Sequence, residues 1–538
     1  MTWNINDPQG NEAGKIKWEI VPYTRGRGLD IGCGNAKPFQ HFIGLDNLED
    51  NRLYGHNIRP DIPIINGNNL FFFSNESMDF VFSSHLLEHF NYEEVPKVLS
   101  EWFRLVKISG YLVLYLPDED EYPKVGEHGA NPDHKWNVNY DRVISAMDLI
   151  NNWDLVDFQK RNQGNEYSLF FVFQKIGNET SIQINKHNFS YLEKPNIKTC
   201  AVVRYGAYGD LMQSSSVIAA LKEQGFHITL YTAPPGCDVI RHDPNIDRFI
   251  IQDKDQVPNL ELGAFWDYIS KKYNKFVNLS ETIEGTLLAL PGRTLHSFPP
   301  ELREKVTGFN YLEFQHRTAR VPYSKPLIKF YPTKEEDKLA QEFRDSLPDR
   351  SIVWSLAGSS VHKTWPYMDS VISAILLDFP YSTVILVGGP ETKILQGGWE
   401  EEPRVVKAAG EWDIRRVFSF LPYANLIIGP ETGVLNASSM LNVPKIIFLS
   451  HSSILNLTRD WINTVSFYSD KTECPGRGNN QSIACHMLHY GWTYCKRGPN
   501  AGVAQCQEDI TPEEVYKAIW SIFNSAESKS ILRISRDK

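Results

Sequence analysis

The sequence predicts an α/β protein of more than one domain, on three observations. Short apolar runs alternate with helical patterns along most of the chain, glycine-containing turns follow several of those runs, and 538 residues exceed what one ordinary core organises. Hydrophobic residues make up 42% and charged residues 22%, which supplies buried sheets without a bias toward disorder.

The first domain spans residues 1–178, where GLDIG, FIGLD, MDFVFSS, YLVLYLP and SLFFVFQK read as strands and VPKVLSEWFRLV as the clearest helix. Residues 179–196 are polar, carry no sustained period and read as a linker. A second alternation, AVVRYG, LMQSSSVIAALKEQ and HITLYT, opens a lobe over 197–325. A third lobe, 326–538, contains SIVWSLAG, MDSVISAILLDF, TVILVGG, NLIIGP and KIIFLS, and closes with the helix TPEEVYKAIWSIF. The three prolines within 321–333 mark the connector between these lobes. No solenoid period is visible.

The net charge of −10 gives no overall attraction for phosphate backbones or anionic lipid, which disfavours nucleic acid as a partner. The start, MTWNINDPQGNEAGK, lacks both a basic segment and an apolar one, and no run approaches 18 apolar residues, so the expectation is a cytoplasmic chain without membrane insertion. Of seven cysteines, Cys33, Cys200 and Cys237 are scattered, while Cys474, Cys485, Cys495 and Cys506 define an insertion, 474–506. That spacing lacks close C-x-x-C pairs and leaves zinc, disulfides and free thiols open.

In the first domain the strand GLDI leads into Gly32 and Gly34, where missing Cβ atoms let a ligand lie against the backbone. Asp46 ends the next run, where a carboxylate can accept hydrogen bonds from ribose hydroxyls. Lys37 stands where a dinucleotide fingerprint has its third glycine, and the acidic residue comes early, which disfavours a nicotinamide cofactor. The order LDIGCG, IGLD, NGNNLFFFSNESMDFVFSSHLLEHF, FRLVKISGYLVLYLPD resembles the class I S-adenosylmethionine-dependent methyltransferases over about residues 25–178. The resemblance implies a Rossmann-like domain in which Asp30, Gly32 and Gly34 cradle the methionine part of S-adenosylmethionine and Asp46 holds the ribose. It places Asn68 or Asn69 at the adenine, where Asp is usual, and His85 beside the methyl donor.

His85-x-x-Glu88-His89 also matches the helix pattern of a zinc protease. It follows the strand MDFVFSS, however, where methyltransferases carry a similar string, so no catalytic metal is expected. His134, in the polar loop EHGANPDHKWNVNYD, reads as a general base on an acceptor hydroxyl or as a solvated surface histidine.

In the second module Gly206-Ala-Tyr-Gly209-Asp210 follows the strand AVVRY and opens a helix, which places Asp210 where α/β folds carry chemistry or simply as a helix-capping acid. The segments 355–369, 386–392 and 427–449 each run from a strand through small or polar residues toward a helix, which suits a diphosphate. With YGAYGD, their order resembles glycosyltransferase family 9, the heptosyltransferases, over about residues 198–528. That resemblance implies a GT-B pair of Rossmann-like lobes with a nucleotide-sugar donor. Asp210 would deprotonate the acceptor hydroxyl, Ser359, Ser360 and Lys363 would bind donor phosphates, and Glu391 would lie near the donor ribose. Glu431, Thr432 and Gly433 correspond to the phosphate loop. Glu431 replaces the family's Asp and Asn436 its following His, so ADP-heptose is not assumed as the donor. No metal is required by that scheme.

The combined expectation is an enzyme that transfers a sugar to an acceptor hydroxyl of a glycan and methylates that sugar or a nearby group. Hypermodification of a nucleic-acid base, or a nucleotide-sugar-binding protein with decayed sites, are the alternatives.

Overall fold

Seven strands in the first part of the chain form one sheet, whose central strands are continuous apolar runs buried on both faces, as a sheet covered by helices requires. In this computed structural model the described residues are 11–47, 60–64, 66–177, 197–287, 298–323, 327–358, 363–469, 497–500 and 502–524. They divide into two compact units, residues 1–197 with 251–272 and residues 198–250 with 273–538.

The first unit contains β1 (Gly28–Ile31), β2 (Phe42–Asp46), β3 (Ile62–Pro63), β4 (Met78–Ser84), β5 (Val106–Pro117), β6 (Trp153–Arg161) and β7 (Ser168–Lys175), in the order β3-β2-β1-β4-β5-β7-β6. β1 pairs in parallel with both β2 and β4, and β7 runs antiparallel to β5 and β6. The helix Val95–Leu105 buries Val95, Val98, Leu99, Trp102, Phe103 and Leu105, a stripe at helical spacing that packs in the core with Phe171 and Phe173.

Residues 251–272, which the sequence places in the next lobe, pack with the first unit. Phe265 meets Trp18 at 5.6 Å between ring centroids, and Gln256 donates to the Val21 carbonyl at 2.7 Å. Glu19, 9% exposed, pairs with Arg161 at 2.7 Å and with Lys272 at 2.5 Å, and accepts from Tyr268. Sequence periodicity could not assign this segment, because its burial depends on partners more than 200 residues away.

The second unit holds two sheets. In the smaller one, β8 (Thr199–Arg204) pairs in parallel with β9 (His227–Thr232) and β11 (Lys275–Asn278), and β10 (Arg248–Ile251) completes the order β10-β9-β8-β11. The larger is parallel throughout: β12 (Arg350–Ser355), β13 (Ser382–Val387), β14 (Val405–Lys407), β15 (Leu426–Pro430), β16 (Lys445–Phe448) and β17 (Thr464–Phe467), ordered β14-β13-β12-β15-β16-β17. The expected α/β class is therefore what the chain forms.

Leaving aside the antiparallel β7, the strand order in each sheet reverses once: between β1 and β4, between β8 and β11, and between β12 and β15. At such a point the connections leave to opposite sides and open a crevice at the carboxyl ends of the strands. No helix among the described residues is long and apolar enough to cross a membrane.

Candidate functional site

The crevice of the first unit lies beyond β1. Gly32 adopts φ +81°, and a Cβ there would come within 2.9 Å of the Leu86 side chain. Only glycine lets the turn after β1 pass so close to the segment after β4. The Gly34 amide donates to Asp46 Oδ2 at 2.6 Å and the Asn47 amide to Oδ1 at 2.7 Å, so the carboxylate is fixed at the end of β2.

Asp30 is 1% exposed, and burial together with the neighbouring Asp46 raises its pKa well above the usual carboxylate range. Asn68 is half-buried, and the adjoining Gly67 approaches Ile31 and Leu86. Asp30, Gly32, Gly34, Asp46 and the Asn68 turn thus gather around the carboxyl ends of β1 and β2.

His85 ends β4 in the left-handed region, φ +51°, with its Nε2 at 3.0 Å from Ser168 Oγ. Two residues of the same turn face a loop from elsewhere. His134 is buried rather than solvated, its ring lying 5.1 Å from that of His89 and 5.2 Å from that of Tyr122. Its Nε2 stands 3.5 Å from Glu88 Oε1. Burial pushes the Glu88 carboxyl up to about 8 and, with the neighbouring histidines, His134 down to about 3. An imidazole held that low is a poor proton acceptor at neutral pH.

In the second unit Asp210 lies in the first turn of the helix Tyr208–Glu223, just after β8. Its Oδ2 accepts from the Ala207 amide at 2.8 Å, and its Oδ1 lies 2.7 Å from Arg204 Nη2. Arg204 is 1% exposed and also pairs with Glu284 at 3.0 Å. Burial raises the Asp210 pKa, Arg204 lowers it and Glu284 raises it again, leaving it above the ordinary value. Both the capping contact and a basic carboxylate are present in one side chain.

The helix Gly433–Ser438, after β15, closes on that turn. A Cβ on Gly433 would come within 2.8 Å of the Tyr208 Cβ and 3.3 Å of the Gly209 amide, and one on Gly209 within 3.0 Å of Asn436 Nδ2. The two backbones touch because both positions lack side chains. Asn436 donates to the Thr432 carbonyl at 2.9 Å and accepts from Gln213 Nε2 at 2.8 Å, a buried link between the lobes.

Lys363 is buried and donates to the Glu431 carbonyl at 3.1 Å, its pKa lowered by burial. The Glu431 carboxylate accepts from the Ser450 amide at 2.5 Å and from the Ser452 amide and Oγ at 3.1 Å each, and pairs with His451. Burial works to raise its pKa, but His451, Lys363 and the Ser450 amide hold it well below the carboxylate range. The longer side chain of Glu reaches the 450–452 loop and is used up there. Glu391 is exposed and electrostatically coupled to Tyr208 across the crevice. Ser359 and Ser360 lie outside the described residues, as do Cys474, Cys485 and Cys495.

The family model for the methyltransferase domain matches residues 29–114. That span runs from β1 into β5 and contains the glycine turn, Asp46 and the 85–89 segment. No curated protein matches the chain. Among solved structures, the glycosyl transferase family 9 protein from Veillonella parvula is 17% identical, with 60% of this chain and 97% of that one covered and a TM-score of 0.45. The ADP-heptose lipopolysaccharide heptosyltransferase II of E. coli is 15% identical, with 60% and 98% covered and a TM-score of 0.42. A SAM-dependent methyltransferase from Archaeoglobus fulgidus is 18% identical, with 30% and 94% covered and a TM-score of 0.24.

Sequence reasoning missed Arg204, Glu284, Gln213 and the 450–452 loop. Arg204 sits inside the apolar run AVVRY, and SHSS after KIIFL was the available signal for the loop.

Proposed function

We propose that the chain is a bifunctional carbohydrate-modifying enzyme: the first unit transfers a methyl group from S-adenosylmethionine, and the second transfers a sugar from a nucleotide-sugar donor to an acceptor hydroxyl. The observation that carries the second half is the meeting of Gly209 with Gly433, which brings Asp210 and the turn before the Gly433–Ser438 helix into one crevice.

There Asp210 accepts the proton of the attacking hydroxyl. Lys363, together with Thr432, Gly433 and Asn436, faces the departing nucleoside diphosphate, whose negative charge a cation and oriented amides stabilise. Ser359, Ser360 and Glu391 complete the donor site in this reading. Asn436 in place of a histidine removes a titratable group beside the phosphates, so ADP-heptose is not assumed as the donor. In the first unit Asp46 and the Gly32–Gly34 turn hold the methyl donor, with Asp30 and Asn68 at its edge. Fusion raises the concentration of one product at the other site, which favours sequential decoration of one glycan.

Calorimetry and thermal-shift profiling with S-adenosylmethionine, nucleoside diphosphates and nucleotide sugars test this directly, since a ligand raises the melting temperature in proportion to its occupancy. One saturable site for S-adenosylmethionine and one for a nucleoside diphosphate are expected. Binding of neither class would refute the enzyme reading.

A further inference from the structure

We propose that Glu88, His89 and His134 form a site for one divalent cation that accepts mixed imidazole and carboxylate ligands, namely zinc(II), manganese(II) or iron(II), beside the methyl-donor turn. One ligand atom from each of the three residues lies within 4.8 Å of the others.

Glu88 is 0% exposed, and neither of its carboxylate oxygens has a hydrogen-bond partner. A buried carboxylate left that way is costly unless it takes up a proton or a cation or donors complete it. His134 Nε2 and His85 Nδ1 stand 3.5 and 3.6 Å from Glu88 Oε1, too far to hydrogen bond well. Two ligands each about 2.0–2.1 Å from a tetrahedral ion lie about 3.4 Å apart, so the His134–Glu88 separation is that of two ligands on one ion. Two imidazoles and one carboxylate suit borderline metals rather than calcium or magnesium, and leave coordination positions open.

The support around the triad is built as well. The Lys135 amide donates to the Glu88 carbonyl at 2.8 Å, and the His134 amide to the Asn131 carbonyl at 3.2 Å, which pins the loop carrying His134 onto the 87–89 turn. Ser168 anchors His85 Nε2, leaving Nδ1 facing Glu88, so His85 acts as a positioning residue for the carboxylate.

Leu86, within that turn, packs against Gly32. The proposed cation site therefore adjoins the glycine turn to which the methyl-transfer reading above assigns the methyl donor, and its role rests on that reading. An acceptor hydroxyl on an open position is acidified and loses its proton to solvent. Its oxygen then bonds to the methyl carbon as the carbon–sulfur bond breaks, and S-adenosylhomocysteine leaves as a neutral thioether.

The test uses the full chain, stripped with EDTA and titrated with manganese(II), with the free ion followed by electron paramagnetic resonance. Manganese is chosen because thiolates of the cysteine-rich insertion would draw zinc. One manganese per chain is expected, and Glu88→Gln or His134→Gln should weaken it at least tenfold while S-adenosylmethionine affinity stays within a few fold. Nitrogen couplings from bound imidazole, read by electron spin echo on the unaltered chain, are also expected and need no variant to fold. Absence of those couplings, no stoichiometric uptake, or unaltered uptake in both variants would overturn the site. Metal uptake without S-adenosylmethionine binding would leave the site standing and remove only its role in methyl transfer.

Discussion

Arg204 Nη2 lies 2.7 Å from Asp210 Oδ1 and 3.0 Å from Glu284 Oε1, so one buried guanidinium is shared between two carboxylates. As a general base Asp210 works only when deprotonated, and burial with the Glu284 charge holds its pKa above the usual aspartate value. Sugar transfer should therefore rise with pH through an acid limb above that of an ordinary aspartate. Glu284→Gln removes the competing charge and leaves Arg204 acting on Asp210 alone, so the limb should move to lower pH. Asp210→Asn should reduce turnover about 10²- to 10⁴-fold while nucleotide affinity changes little. Donor hydrolysis, with water as acceptor, gives both readouts. A limb that stays in place in Glu284→Gln, or near-normal turnover in Asp210→Asn, would count against Asp210 as the base.

Asp46 accepts from the Gly34 and Asn47 amides, which ties the ribose-side carboxylate to the glycine turn. Asp46→Ala should weaken S-adenosylmethionine by about tenfold or more, since a charge-assisted hydrogen bond contributes about 1.5–3 kcal/mol. Nucleoside diphosphate binding in the other unit should not change. Calorimetry of both ligands on one preparation checks the pair, and unchanged cofactor affinity in a folded variant would exclude the ribose role.

Much of this was legible in the sequence because buried parallel strands are continuous apolar runs: GLDI, HITLYT and TVILV appear where β1, β9 and β13 form. β6 was not, because it lies at the sheet edge and its WDLVDFQKR run mixes charge into a half-exposed strand. Motif order found Asp210, Lys363 and Gly433 but not their partners, since Arg204 reads as one more strand residue and Glu284 follows 74 positions after Asp210. The expectation of no metal rested on the strand MDFVFSS before His85, Glu88 and His89, where methyltransferases carry a similar string. The structure forms only a short turn over Leu87–His89 there, and His134, which meets Glu88 and His89, comes from a separate loop. No local period carries such a long-range meeting.

Lys445 is fully buried on β16, where its Nζ donates to the Leu441 and Val443 carbonyls at 2.8 and 2.7 Å. Burial lowers its pKa from 10.5 to about 7. A lysine whose pKa falls on folding penalises the native state fully below the folded pKa, and the penalty fades as pH rises toward the unfolded value. Lys445→Met removes that penalty and strands two carbonyls, so its absolute effect is mixed, but its pH dependence is not. The melting temperature of the variant minus that of the unaltered chain should be greatest at or below pH 7 and fall steadily by pH 10. A difference that is flat with pH would show that Lys445 is not desolvated as placed.

The contact of Gly433 with the Tyr208–Gly209 backbone makes a stronger demand, because it couples stability to binding. Gly433 is the first residue of its helix, so alanine there is not opposed by helix propensity, and any loss must come from crowding. The new methyl would sit 2.8 Å from the Tyr208 Cβ and 3.3 Å from the Gly209 amide, and backbone cannot yield as a flexible side chain can. Gly433→Ala should therefore cost about 1–3 kcal/mol by overpacking. On the proposed function it should also weaken nucleoside diphosphate binding, because the two helix starts assigned to the phosphates are pushed apart. S-adenosylmethionine affinity in the first unit should be untouched, which separates this effect from general misfolding. If Gly433→Ala melts with the unaltered chain and binds nucleotide equally well, the two turns do not meet as described, and the shared crevice built on them fails with that contact.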